Sequence, residues 1–227
     1  MENPIFHCFF EQSGTFKNQF KKLGYESYDY DILNQFGETD YVTDLFGEIN
    51  KAYEGGDSIF DKIKSNDQII AFFPCVRFEN QIILYFKGNA STQKKWSIKE
   101  KLQYDLKLID ELHSLYSLIT KLVLICIEKN LKLIIENPYS TQHFLYRYWS
   151  LEPKLIDKDR RDMGDFFSKP TQYWFVNCDP KYNFIFEGVD KKIRKFVKNE
   201  NQVNRSMIHQ DYANKFIREF ILNGKEE

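Results

Sequence analysis

Cysteine, glycine and proline are scarce in this chain, and their scarcity excludes several classes of protein. The 227 residues include 4 Cys, 10 Gly and 6 Pro. The cysteines (Cys8, Cys75, Cys126 and Cys178) show no C-x-x-C spacing and no accompanying histidine cluster. That pattern argues against a structural zinc site or any other metal centre, and for free thiols in a reducing cytoplasm. No apolar run approaches the roughly 20 residues that span a bilayer, so no membrane partner is expected. The residues after Met1 lack the basic-then-apolar order of a secretory leader. Charge of one sign is also missing, since 32 Lys and Arg stand against 33 Asp and Glu for a net charge of −1. With no global positive field, any grip on nucleic acid has to come from a local basic patch. There is no internal repeat and no low-complexity tract.

What the chain does have is aromatic and aliphatic bulk. Its 21 Phe, 14 Tyr and 3 Trp sit in a sequence that is 42% hydrophobic, enough to fill the core of one large domain. Residues 1–227 are expected to form a single unit, because no gap between elements could hold a second. Ile5 to Phe10 reads as a buried strand, followed by a turn and a helix over Phe16 to Leu23 that Gly24 closes. Strands are predicted at Tyr25 to Tyr30 and Tyr41 to Thr43, then a helix through Ile49 and Tyr53, then a strand from Gln68 to Phe73. Residues 87–95 read as a mobile loop. Ser97, with Glu100 three residues on, opens a long helix running to about Asn130. Its apolar stripe, from Leu102, Leu106 and Ile109 to Cys126, is expected to pack on a sheet along its whole length. Further strands are predicted at Leu131 to Ile135 and Tyr173 to Val176, and a terminal helix from Asp211 to Leu222. Strands alternating with helices predict an α/β fold: a doubly wound, mostly parallel sheet in three layers.

In such a sheet, ligands bind beyond the carboxyl ends of the strands. Gly14 follows the first strand, Asp31 the second, Asp44 the third, Pro74-Cys75 the fourth and Glu136-Asn137-Pro138 the fifth. A glycine turn, two acids, a thiol and another acid arrive there in order. This order resembles the DNA cytosine carbon-5 methyltransferases of the class I S-adenosylmethionine-dependent superfamily, in a compact phage or bacterial form. Phe10-Glu11-Gln12-Ser13-Gly14-Thr15-Phe16 is similar to the family's F-x-G-x-G turn, with Gln12 where the first glycine would be. Gly24-Tyr25 matches a Gly-Phe pair, Pro74-Cys75-Val76-Arg77-Phe78-Glu79 the P-C-Q-x-F-S motif, and Glu136-Asn137-Pro138 the E-N-V motif. Asn204-Arg205-Ser206-Met207 resembles the closing G-N-S-V motif.

The resemblance implies a Rossmann-like methyltransferase fold that binds S-adenosylmethionine. Phe10, Ser13, Gly14, Thr15 and Pro74 would line its methionine end, Asp31 (or Asp29) would take the ribose hydroxyls, and Asp44 the adenine amine. Asn204 and Ser206 would close the pocket. Cys75 is the implied nucleophile, adding to carbon 6 of cytosine so that carbon 5 can accept a methyl group. A strand-end loop facing helix N-termini would raise its thiolate fraction. Glu136 would bond the ring nitrogen and exocyclic amine. Arg160 and Arg161 stand where the family carries Q-x-R-x-R, and either could stabilise the base. Contacts to DNA would fall to Arg77, Lys87, Lys94 and Lys95, and to Lys192, Arg194 and Lys195 in a short basic connecting segment (residues 179–203). That segment is too short for the family's target-recognition domain. RNA or a free nucleotide is the alternative substrate, and a non-catalytic DNA- or protein-binding descendant the alternative class.

Overall fold

A computed structural model describes residues 3–79, 82–185 and 207–223. Seven strands form one sheet: β1 (Phe6–Phe9), β2 (Ser27–Asp31), β3 (Tyr41–Val42), β4 (Gln68–Ala71), β5 (Lys132–Pro138), β6 (Leu155–Asp157) and β7 (Thr171–Val176). Their spatial order is β3-β2-β1-β4-β5-β7-β6. The first five are mutually parallel, and β7 runs antiparallel to both β5 and β6. The fold is the expected α/β type, a doubly wound sheet between helical layers.

Helices α1 (Thr15–Lys22) and α6 (Gln210–Phe216) cover one face. There Phe6, Cys8, Phe16, Phe20, Tyr173 and Phe216 pack together. Helices α2 (Leu45–Tyr53), α4 (Ile98–Glu128) and α5 (Phe144–Tyr148) cover the other, over Phe9, Ile69, Ile135 and Trp174. The period-2 alternation of strands sends adjacent residues into different cores: Ile134 and Phe175 face α6 while Ile135 and Trp174 face α4. Cys8 and Cys126 are fully buried core residues, as their apolar settings predict.

Helix boundaries follow local chemistry. Gly24, at φ 87°, takes the left-handed conformation that ends α1, and the Tyr25 N–H closes the turn on the Phe20 carbonyl at 3.0 Å. At the start of α4, Ser97 Oγ accepts from the Glu100 N–H, and the Glu100 carboxylate accepts from the Ser97 N–H at 2.7 Å. The reciprocal cap read in the sequence therefore forms. The terminal helix also forms, its last turn widening to a π-turn over Ile217–Ile221.

Three expectations change. Residues 87–95 are not a plain loop: they follow α3 (Ile82–Phe86) and contain a 3-10 turn at Ser91–Gln93, with the Gln93 side chain fully buried. The α4 stripe is packed only from Leu112 onward, while Leu102, Leu106 and Ile109 stand in solvent. The sheet also gains the three-residue β6, which has no hydrophobic signature of its own and exists through its pairing with β7. Among the described residues no helix is long and apolar enough to cross a membrane.

Candidate functional site

The chain lays β1, β2 and β3 outward in one direction, then starts again with β4 and β5 in the other. The crevice between the carboxyl ends of β1 and β4 is the topological switch point where such sheets bind ligands. Two segments meet there, Phe10 to Gly14 after β1 and Pro74-Cys75 after β4.

Phe10 takes a left-handed φ of 59°, rare and strained for a bulky side chain. Its N–H still reaches the Tyr30 carbonyl at 2.8 Å, and its ring packs 5.2 Å from that of Phe73. The bend turns Glu11 inward, where its carboxylate accepts from the N–H groups of Phe16 (2.8 Å) and Lys17 (3.3 Å). Glu11 therefore caps α1, because Gly14 at the N-cap position has no side chain to offer. Burial pushes the Glu11 carboxyl up to about 7, against the opposing pull of those two N–H donors. Nothing in the sequence marks this residue apart from its place in the turn.

Gly14 sits at φ 65°, and a Cβ there would lie 2.8 Å from Glu38 Oε2. The left-handed backbone is what favours glycine, since the Glu38 and Asn18 side-chain ends could move aside. Ser13 and Thr15 share a hydroxyl hydrogen bond of 3.0 Å beside it. The β2–β3 connection is held over this turn by Lys17. Its buried ammonium pairs with Asp29 (3.1 Å) and Asp40 (3.4 Å) and donates to the Glu38 carbonyl. Asp29 Oδ1 is taken by Lys17 and by the Asp40 N–H at 2.7 Å while its buried Oδ2 has no partner, and Asp31 is the more exposed acid at the end of β2. Asp31 is half-buried, accepts from the Leu33 N–H at 2.8 Å, and burial raises its carboxyl above the usual range. Asp44 is exposed and serves as the N-cap of α2, accepting from the Gly47 N–H at 3.1 Å. A hollow of about 550 Å³ opens at Ser13, Gly14 and Thr15, but on the side of α1 that faces Gln210. Asp31, Asp44 and Cys75 do not line it.

Beyond β4, Cys75 is half-buried and its thiol donates to Glu79 Oε1 at 3.1 Å. Burial first, then the Glu79 charge, push the thiol up to about 12, with Lys169 pulling the other way and Glu136 adding to the rise. The expectation of an enriched thiolate is therefore reversed: the loop sets a carboxylate, not a helix N-terminus, against the sulfur. Lys169, just before β7, is a further cation that the sequence did not flag.

Glu136 and Asn137 end β5 on opposite faces of the sheet, paired with Tyr173 and Gln172 of β7. The Asn137 side-chain amide donates to the Phe73 carbonyl at 2.8 Å, which ties the start of the Cys75 loop to the end of β5. Glu136 is 7% exposed, and its Oε1 is buried with no hydrogen-bond partner. The two adjacent arginines part company. Arg160 is 1% exposed, chelates Asp165, and sits 5.0 Å over the Tyr212 ring. Its Nη1 is also buried without a partner, and the Glu136 charge acts on it. Arg161 stays at the surface, paired with Asp159 two residues before it.

The candidate nucleic-acid contacts among the described residues differ in setting. Arg77 is committed to Glu111 on α4, so it is a tie between loop and helix rather than an open cation. Lys87, Lys94 and Lys95 are exposed on the segment between α3 and α4. Lys192, Arg194, Lys195, Asn204 and Ser206 lie outside the described residues. Comparison with known protein families and with curated proteins finds no match to this chain.

Proposed function

We propose that the protein is an S-adenosylmethionine-dependent methyltransferase that acts on carbon 5 of cytosine in DNA through Cys75. A fold hosts many chemistries, so the reading rests on the site. The observation that carries it is a set of groups from three neighbouring segments, Cys75 after β4, Glu136 near the end of β5 and Arg160 after β6, with the Glu136 charge acting on both of the others. There Glu136 Oε1 and Arg160 Nη1 are buried with no partner in the protein. A buried acceptor and a buried donor left without partners are costly unless a ligand satisfies them.

The residues at the switch point fit the cofactor. Gly14 is buried beneath the Glu38 and Asn18 side chains, Asp31 is an acceptor at the next strand end, and the acids around the turn suit a cation. Bound there, S-adenosylmethionine supplies an electrophilic methyl group. The chain's own groups do the rest. Glu79 takes the Cys75 proton, and the sulfur adds to carbon 6 of the pyrimidine. Glu136 accepts from the exocyclic amine and holds a proton at the ring nitrogen, which offsets the charge that the addition drives into the ring. Arg160, held by Asp165, sets a positive charge within reach of the Glu136 carboxylate's field. After methylation, water takes the carbon-5 proton, the carbon-5–carbon-6 double bond re-forms, and the sulfur leaves as a thiolate that takes its proton back from Glu79. Four free cysteines accord with a cytoplasmic enzyme.

A second reading is favoured by one observation, the high affinity of the Cys75 thiol for its proton. It is a non-catalytic descendant that binds DNA or protein. Two measurements decide. Calorimetric titration with S-adenosylmethionine gives binding for the enzyme and none at millimolar cofactor for the descendant. Transfer of a labelled methyl group is then compared across duplex DNA, single-stranded DNA, transfer RNA and dCMP. Activity on DNA that Cys75→Ala abolishes while cofactor binding survives is the expected result. Full activity of Cys75→Ala would overturn the assignment.

A further inference from the structure

The helix α4 is far longer than the sheet it covers. Its 31 residues span about 46 Å, whereas the 7 residues of β5 span about 23 Å. The Arg77–Glu111 ion pair fixes where α4 passes the Cys75 loop. Residues 98–110 therefore project beyond the strand ends as an arm. One side of that arm is covered, with Leu108 fully buried and the Tyr104 ring 5.3 Å from Trp96 and 6.3 Å from Tyr85.

Another side is bare and aliphatic. Ile98, Leu102, Leu106 and Ile109 are 71%, 59%, 68% and 51% exposed. Single exposed aliphatics need no explanation, but these four follow helical spacing and form one continuous stripe about 18 Å long. We infer that this stripe is the contact between two copies of the chain, packed as antiparallel α4 arms about a two-fold axis near Tyr104.

The charges beside the stripe select that occupant. Lys99 and Asp110 are eleven residues apart, as are Ile98 and Ile109. Eleven residues make close to three helical turns, so both charges lie on one flank of the stripe. Neither has an ion-pair partner among the described residues. Two-fold antiparallel packing sets Ile98 against Ile109 of the other copy and Leu102 against Leu106. It sets Lys99 against Asp110 twice, once at each end, as a self-complementary interface demands. A nucleic acid is the poorer fit, because the stripe is aliphatic and the charges flanking it, Lys99, Asp105 and Asp110, give no positive excess. The contact is one helix wide and smaller than the ~800 Å² per partner of a standard interface, so the dimer is concentration-dependent.

Sedimentation velocity of the full chain from about 1 to 300 μM tests this independently of any catalytic activity. The expected result is a reversible dimer whose dissociation constant rises roughly a hundredfold in Leu106→Glu with an unchanged circular dichroism spectrum. Lys99→Glu and Asp110→Lys should each weaken it about tenfold. The two together should return it to within about threefold of the original. A chain that is monomeric throughout, a dimer indifferent to Leu106→Glu, or a double swap that restores nothing would overturn the inference. So would loss of duplex oligonucleotide binding in Leu106→Glu with no change in association state, which would assign the stripe to nucleic acid.

Discussion

Alkylation of Cys75 by iodoacetamide reads out the electrostatics of the site directly. At pH 8 an ordinary thiol near pKa 8.5 is about one quarter thiolate. With its own pKa pushed up to about 12, Cys75 is ionised in about one molecule in ten thousand, some two-thousandfold less. The more basic sulfur is also the better nucleophile; a Brønsted slope of about 0.45 over 3.5 pH units returns a factor of about 40. The net expectation is alkylation about sixtyfold slower than a free cysteine at pH 8. The rate should keep rising about tenfold per pH unit through pH 10, where an ordinary thiol has already levelled. Removing the Glu79 charge, 3.1 Å from the sulfur, should lower the thiol pKa by about one unit or more. At constant pH that speeds alkylation of Glu79→Gln about threefold or more, while methyl transfer falls because the proton acceptor is gone. The assay is isotope-coded iodoacetamide with mass spectrometry of the peptide ending at Arg77. A plateau at or below pH 9 in the unaltered protein, or no acceleration in Glu79→Gln, would refute the account of Cys75.

The other expectations concern the acids and arginines around the rim. Glu136→Gln should cut methyl transfer by about a hundredfold or more while changing unfolding free energy by no more than ~1 kcal/mol, since its buried oxygen has no partner to lose. Arg160→Met strands Asp165 in the interior and should cost about 3–5 kcal/mol in urea titrations, whereas Arg161→Ala at the surface should cost under ~1 kcal/mol. Glu11 binds its proton more tightly folded than unfolded, rising from 4.5 to about 7. Its stabilising contribution is therefore complete below about pH 4.5 and is lost as pH rises through 7, a swing of roughly 3 kcal/mol. The difference in stability between the unaltered protein and Glu11→Gln, measured from pH 4.5 to 8.5, should show that swing; a flat difference would contradict it.

Elements whose cause is local were legible in the sequence. The Ser97–Glu100 cap and the Gly24 stop depend on residues within a turn of each other, and the strands read as ending at Phe10, Tyr30 and Phe73 end within two residues of those positions. What tertiary pairing decides was not legible. The strand β6 has three half-buried residues and is defined by β7. Lys17 reads as a polar position of an amphipathic helix, yet it is buried because Asp29 and Asp40 come to it from a later strand and loop. Arg160 and Arg161 are neighbours with one local composition, and only Asp165 and Tyr212 explain why the first goes inside. The α4 stripe carried the right period but no information about its partner, so its first half was assigned to a sheet that ends before reaching it.

The Glu136-Asn137 pair shows why the site was partly legible. Adjacent residues on a strand point to opposite faces, so the two must do different work. Asn137 turns to the α4 face and fastens the Phe73 carbonyl through its amide nitrogen, fixing the loop that bears Cys75, while its own Oδ1 is also buried without a partner. Glu136 turns to the α6 face and is left without a hydrogen bond to its buried oxygen. An unpaired buried acceptor costs about 1–3 kcal/mol, which a purely structural residue at this position could avoid by becoming apolar, as Ile134 is on the same face. The dipeptide thus joins a structural tie to an unmet demand for a donor. The sequence can display that combination as a motif, while its cost is visible only in the fold.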